Sequence, residues 1–459
     1  MFNFTVSNNT ANQKKIFTNT FAVILISLFI ISQAYSQNWS SLGGGTAWVN
    51  AMTVYNGELI VGTVSGITKW NGSTWSDVGT GVNGEVDALA IYNGELYAGG
   101  RFTIAGGVAV SYMAKWNGTA WFDVEGGTDS YVVSMTVYNN ELIIGGYFLN
   151  ANIPANYIAK WNGTSWSPLG SGMGGSQGQV MALTVYNGNL IAGGFFSTAG
   201  GSVANRIAQW NGSSWSVLGS GINNVVYALT VYNGNLIAGG LFANAGGNSA
   251  NDIASWNGNS WSNLGAGVGG GFYPYVLSLT TYGNDLYVAG LYTIAGNLTT
   301  NGIAKWNGST WSGLGSGFFN TANVCGAYAS TIYNNNLVCG GIFSGAGGNG
   351  AGNIAQWDGI VTGLHYNNHN TPDKFQLHQN YPNPFNPSTN IKFDVARSGN
   401  ISIKIYDMQG REVAVLVNEN LNPGSYNVSF NASNLPSGSY FFRLEAQGFS
   451  QTNKMILVK

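Results

Sequence analysis

From Trp39 onward, apolar and polar positions alternate in short runs of about four to seven residues, each closed by a Gly- or Asn-containing turn. That is the pattern of half-buried strands, not of helices. The stretch 228–265, ALTVYNGNLIAGGLFANAGGNSANDIASWNGNSWSNLG, shows the full unit. A first strand ends at Tyr232, and Asn233-Gly234 supply the two positive φ angles of a type I′ hairpin turn. A second strand begins with Asn235-Leu236-Ile237 and ends in Gly239-Gly240, and a Gly-rich loop follows. The third strand ends at Trp256, and Asn257-Gly258 turns the chain into a fourth strand from Trp261. The pattern predicts a four-stranded meander.

The unit recurs. The Tyr before the first turn stands at 55, 92, 138, 186, 232, 282 and 333, and the Trp ending the third strand at 70, 116, 161, 210, 256, 306 and 357. Only six units carry their own fourth strand, beginning at Trp75, Trp121, Trp166, Trp215, Trp261 and Trp311. The missing one is found at the other end, where Asn38-Trp39-Ser40-Ser41-Leu42-Gly43 has the right texture. This count predicts an all-β, seven-bladed β-propeller over residues 37–363, its N-terminal strand closing the last blade and pairing an otherwise open edge. The Trp spacings of 45 to 51 residues, the Gly-Gly pair and the aromatic hairpin resemble the kelch class over residues 38–360. Where kelch units usually carry an acidic turn, this chain has Asn-Gly in six units and Asp358-Gly359 in the seventh.

Composition supports that reading, because 68 glycines with only 7% charged residues favour tight turns over solvated helices. A net charge of −2 with no Lys/Arg cluster argues against nucleic acid as a partner. Cys325 and Cys339 belong to the first and second strands of the seventh unit. With Asn334-Asn335 as the turn, Cys339 faces Ser330 and Cys325 lies about 16 Å away, so both are expected free. At the N-terminus, Lys14 and Lys15 precede an apolar run from Phe21 to Ile31 and the small-residue site Ala34-Tyr35-Ser36. Residues 1–36 read as a signal peptide cleaved before Gln37, the run being shorter than the roughly 20 residues a membrane span needs.

After Gly363 the texture changes. Residues 364–374, with His365, His369, Pro372 and Asp373, read as a polar linker, and 375–459 as alternating strands of a small immunoglobulin-like β-sandwich. Within it stand Tyr381-Pro382-Asn383-Pro384-Phe385-Asn386-Pro387, Ile405-Tyr406-Asp407 with Gly410-Arg411, Ser437-Gly438-Ser439-Tyr440, and the terminal Lys454-Met455-Ile456-Leu457-Val458-Lys459. These motifs resemble the type A sorting domain of the type IX secretion system over Phe375–Lys459. The resemblance implies engagement of that translocon and passage across the outer membrane. It further implies removal of the domain by a peptidase, then release or attachment to surface lipopolysaccharide, and so an extracellular or outer-membrane-surface location.

Little chemistry is legible in the body. All three histidines, 365, 369 and 378, fall outside it, which removes a His-ligated metal of the galactose-oxidase kind and any Ser/His or Cys/His pair, and no cofactor is expected. Arg101 and Arg206 are too few for the three-arginine clamp of sialidase propellers. The carboxylates Glu85, Asp87, Asp123, Glu125 and Asp129 gather near the loops joining units one to three and leave open a polysaccharide hydrolase or lyase. The Asn-Gly-Ser/Thr triplets at 71, 117, 162, 211 and 307 read as turns rather than glycan acceptors, and the Trp pairs as scaffold. Column comparison marks the variable positions seven and five residues before the strand-ending Tyr. From them Trp48, Glu85, Asp87, Tyr131, Tyr227 and Tyr275 are chosen as a ligand face suited to sugar stacking and hydroxyl hydrogen bonds. The expected function is a non-enzymatic secreted or cell-surface module binding a glycan or surface protein, the alternatives being the hydrolase or lyase and a structural adhesin or matrix component.

Overall fold

The two-residue turns set the architecture. Asn233 and Gly234 have φ of 48° and 75°, and the same left-handed pair recurs at Asn56-Gly57, Asn93-Gly94, Asn139-Asn140 and Asn187-Gly188. Each turn joins a strand ending in Tyr to its antiparallel neighbour, with Tyr232 opposite Asn235. The computed structural model describes residues 39–175, 178–271, 274–320, 325–334, 336–357, 365–368, 372–421, 423–432 and 435–459. The expected signal peptide and its cleavage site, the Asp358-Gly359 turn and His369 lie outside these residues. Every regular element among the described residues is a strand.

Between Trp39 and Trp357 the strands form seven four-stranded antiparallel sheets. Six are consecutive meanders. In the seventh, Trp39–Ser41 pairs with Ile354–Trp357, Trp39 opposite Trp357, so the N-terminal strand completes the sheet that the chain itself leaves one strand short. Each sheet's first strand packs on the first strand of the next, and Gly326–Tyr333 of the seventh packs on Val49–Tyr55 of the first. Side chains are excluded beside these contacts: a Cβ on Gly99 would collide with Val132 of the next sheet, and one on Gly100 with the Glu85 carbonyl of its own unit. The Gly-Gly pair is thus demanded by close approach, of side chains at the first glycine and of backbone at the second.

A second set of contacts runs from sheet to sheet through the fourth-strand tryptophans. The indole N–H donates to the carbonyl just past the preceding sheet's fourth strand, at 2.9–3.1 Å: Trp75 to Leu42, Trp121 to Val78, Trp166 to Val124, Trp215 to Leu169, Trp261 to Leu218, Trp311 to Leu264 and Trp39 to Leu314. All seven sheets are linked this way, the N-terminal strand included. The indoles also tilt against the third-strand tryptophans at 5.0–5.5 Å.

Three local expectations need amending. The Gly-rich loops are not irregular throughout, because most hold a two-residue hairpin such as Asn244–Ala245 with Asn248–Ser249. Cys325 precedes the strand Gly326–Tyr333 instead of lying on it; Cys339 does face Ser330, and both cysteines are free. His365–Asn368, expected in a linker, forms a strand beside Gly424–Asn431, covering what would otherwise be an open sheet edge. With it, two four-stranded antiparallel sheets enclose one core, with Ile391 and Phe393 from one sheet and Ile403 and Phe442 from the other. That core shares no residue with the clusters of the first 357 residues.

Candidate functional site

In every unit the first strand is one residue longer than its partner, as Val49–Tyr55 is against Glu58–Thr63. The surplus is taken up by a β-bulge near the start of the strand: Val49 pairs with Thr63 and Ala51 with Gly62, leaving Asn50 over. The same slip isolates Asp87, Val133, Met181, Tyr227, Leu277 and Tyr328. A bulge re-aims its side chain. All seven of these side chains line one cavity of about 180 Å³, to which Arg101 and Tyr147 contribute from the ends of second strands.

The cavity has two unlike sides. On the polar side Asn50 Nδ2 donates to Glu85 Oε1 at 2.6 Å and to Asp87 Oδ1 at 3.0 Å. Arg101 Nε lies 3.0 Å from Glu85 Oε2 and 3.4 Å from Asp87 Oδ2. Its guanidinium covers the Tyr131 ring at 4.9 Å, which in turn meets Tyr112 and Tyr147 edge-on. Burial, and then the neighbouring Glu85 charge, push the Asp87 carboxyl up to about 6 against the opposing pull of Arg101 and Asn50. The other side is Met181, Tyr227, Leu277 and Tyr328, with Tyr275 edge-on behind Tyr227 at 5.9 Å. Burial raises the Tyr227 and Tyr328 phenols.

Of the six residues chosen from the sequence, Asp87 and Tyr227 line the cavity and Glu85 shares Asn50 and Arg101 with Asp87. Tyr131 and Tyr275 support lining residues from behind. Trp48 is 50% exposed and does not line it. The division follows the two columns: the bulged position points inward, whereas the position two residues earlier contributes mainly a carbonyl, as in the bond from Arg101 N to Glu85 O. Arg101 and Tyr147 were missed. Their signal was the column after each Gly-Gly pair, or Ala289-Gly290 in the sixth unit, which reads Arg101, Tyr147, Phe195, Leu241, Leu291 and Ile342.

Asp123 and Asp129 are occupied elsewhere. Asp123 accepts from Gly126 N, and Asp129 accepts from Leu149 N, Asn150 N and Asn150 Nδ2, so both brace loops. A larger cavity, about 660 Å³, opens between the fifth and sixth sheets beside Asn223, Phe242, Asp252 and Ile294. Its carboxyl, pushed up to about 6 by burial, accepts from Phe242 N, and Asn353 supports Phe343 N likewise in the seventh unit. Asp252 thus fills a scaffold position, and the larger cavity is a crevice between loops. Among the described residues no three His, Cys, Asp or Glu side chains converge as metal ligands would.

The C-terminal motif residues have structural partners. Asn383 Oδ1 accepts from Ile456 N, Phe385 is buried and bonds through its backbone to Ile456 and Val458, and Pro387 O accepts from Ala432 N, so Tyr381–Pro387 clasps the last strand. Tyr381 is 82% exposed, and Pro382, Pro384 and Asn386 are exposed beside it. Arg411 pairs with Asp407 at 2.7 Å across a turn in which Gly410 has φ 76°. Lys459 N donates to Ser437 Oγ.

No curated protein matches the chain. A solved structure of PorZ, described as an essential bacterial surface component of the type IX secretion system of Porphyromonas gingivalis, aligns with 90% of this chain and 66% of its own length at 13% identity. Its TM-score of 0.37 does not establish a shared fold. The family described as a secretion system C-terminal sorting domain matches residues 379–459. The chain therefore ends in such a domain, the address of a protein exported by the type IX route to the cell surface or beyond it.

Proposed function

We propose that residues 37–363 form a seven-bladed β-propeller of kelch-like type, delivered to the cell exterior by the C-terminal domain, which binds a glycan or surface protein without turning it over. The cyclic packing of the first strands and the seven Trp-to-carbonyl bonds support the propeller reading. The observation that carries the binding reading is the ring of seven bulged residues. Each unit spends one unpaired residue on the same cavity, and those residues differ in size, charge and aromaticity while the flanking Val and Ala or Ser hardly vary. A scaffold held constant around a variable, concave, partly polar lining is how repeat folds present ligand sites. The pairing of His365–Asn368 with Gly424–Asn431 supports a C-terminal sandwich that begins at that strand and not at residue 375.

The test is a glycan and surface-protein array probed with the purified chain, repeated with a Tyr227→Ala, Tyr328→Ala variant of unchanged melting temperature. Loss of the captured ligand by at least about tenfold, or roughly 1.4 kcal/mol, is expected. Undiminished capture by the variant would move the site off the cavity, and turnover of the captured ligand would replace the binding reading with the hydrolase.

A further inference from the structure

The polar side of the cavity is short of one positive charge. Glu85 and Asp87 bring two carboxylates, and among the described residues Arg101 is the one basic group that reaches them. Each ionised carboxylate offers about four acceptor sites. The pair is contacted by two donations from Asn50 and by Arg101 Nε, leaving about half of that capacity open. The Asp87 side chain is only 11% exposed, so water does not replace the missing partners cheaply.

An independent sign of an absent ligand lies deeper. The cavity continues past Asp87, Val133 and Tyr227 to Ser134, which is 8% exposed and whose Oγ has no hydrogen-bond partner. A buried hydroxyl facing a cavity costs about 1–3 kcal/mol if nothing reaches it. The opposite wall, Tyr227 with Leu277 and Tyr328, is apolar and flat enough to take the face of a ring. The space beside Asp87 and Tyr227 is about 180 Å³, and the continuation to Ser134 adds about 240 Å³, so the part bounded by the carboxylates and Tyr227 has the size of one small ring.

We propose that the cavity receives one protonated amino-sugar residue of a glycan, its ammonium on Glu85 and Asp87 and its apolar face on Tyr227. This rests on the reading of the cavity as a ligand site and narrows it. Arg101 sits beside two carboxylates, whose charge repels an acidic sugar. A neutral sugar leaves the charge deficit in place. An ammonium supplies up to three donors and the missing charge together.

The test is calorimetric titration of the full chain with a β-1,4-linked glucosamine tetrasaccharide, its N-acetylated counterpart and an Nα-acetyl-lysine peptide, at pH 6.5. The deacetylated sugar is expected to bind at least tenfold more tightly than the acetylated one. That preference should vanish in a Glu85→Gln, Asp87→Asn variant and survive in the distant Asp252→Asn variant. Tyr227→Ala should weaken both sugars. Equal affinity for the two sugars, with both weakened by Tyr227→Ala, overturns the ammonium assignment while leaving a sugar site in the cavity. Binding of the lysine peptide in preference to either sugar overturns the glycan assignment. Binding of the deacetylated sugar that the carboxylate variant leaves intact places the ammonium elsewhere. No binding of any of the three removes this proposal, and the cavity reading then rests on the array alone.

Discussion

Trp39 gives the sharpest test of ring closure, because its energetic worth depends on whether the N-terminal strand is an integral part of the seventh sheet. Its side chain is 2% exposed, lies 5.1 Å from Phe318 and 5.3 Å from Trp357, and donates to Leu314 O at 2.9 Å. Trp121, in the same place of an interior unit, is 3% exposed with Trp116 at 5.5 Å and donates to Val78 O at 2.9 Å. Equal environments predict equal costs. Truncating a buried Trp to Ala costs about 3–5 kcal/mol. For the 319 residues from Trp39 to Trp357, an unfolding entropy of about 2.1 cal/mol/K per residue makes each kcal/mol worth roughly 1.5 °C. Trp39→Ala and Trp121→Ala should therefore each lower the melting midpoint by about 5–7 °C in differential scanning calorimetry. A strand that merely trailed from the first unit would make Trp39→Ala a surface change, within about 0.5 kcal/mol and less than 1 °C. A full drop for Trp121→Ala with none for Trp39→Ala would refute closure through the N-terminal strand, and with it the count of seven.

The Asp87 carboxyl has a folded value of about 6 against an ordinary 3.8, so the native state holds its proton more tightly and stability falls as pH rises from about 4 to about 6. Asp87→Asn removes that penalty. It should stabilise the fold at pH 7.5 by up to roughly 3 kcal/mol, raising the melting midpoint by up to about 4–5 °C, and leave it nearly unchanged at pH 4; an equal gain at both would mean that charge burial is not the cause. Asn211 Oδ1 accepts from the backbone N–H of Ser213 and Ser214, so Asn211→Ala should cost about 1 kcal/mol. Ser213→Ala should cost less than half of that by urea denaturation, and the reverse ranking would deny the Asn its turn role. Because the C-terminal core shares no residue with the others, a chain ending at residue 364 should melt with the same midpoint yet accumulate in the periplasm on fractionation. Normal levels of that chain outside the cell would show that export does not need the domain.

The sequence by itself determined the local geometry and, through repetition, the count of units. Asn-Gly can take two consecutive positive φ angles at little cost, so each hairpin and its register were legible, down to Cys339 opposite Ser330. The absent fourth strand after Trp357 and the surplus one at Trp39 were legible too, since an open edge must find a partner. The sorting motif was readable as a motif, although the need for Asn383 and Phe385 to clasp the final strand was not. What tertiary structure alone decided is which variable column faces inward. Both columns look equally unconstrained along the chain, but an inner strand one residue longer than its partner must bulge, and the bulge turns Asp87 and Tyr227 into the cavity while Trp48 stays outside. Packing of the first unit on the second then put Asn50 within hydrogen-bonding reach of Asp87, which faces Arg101 of its own unit. The raised Asp87 carboxyl follows from burial and from Glu85, an effect of distance through space that no spacing in the sequence encodes.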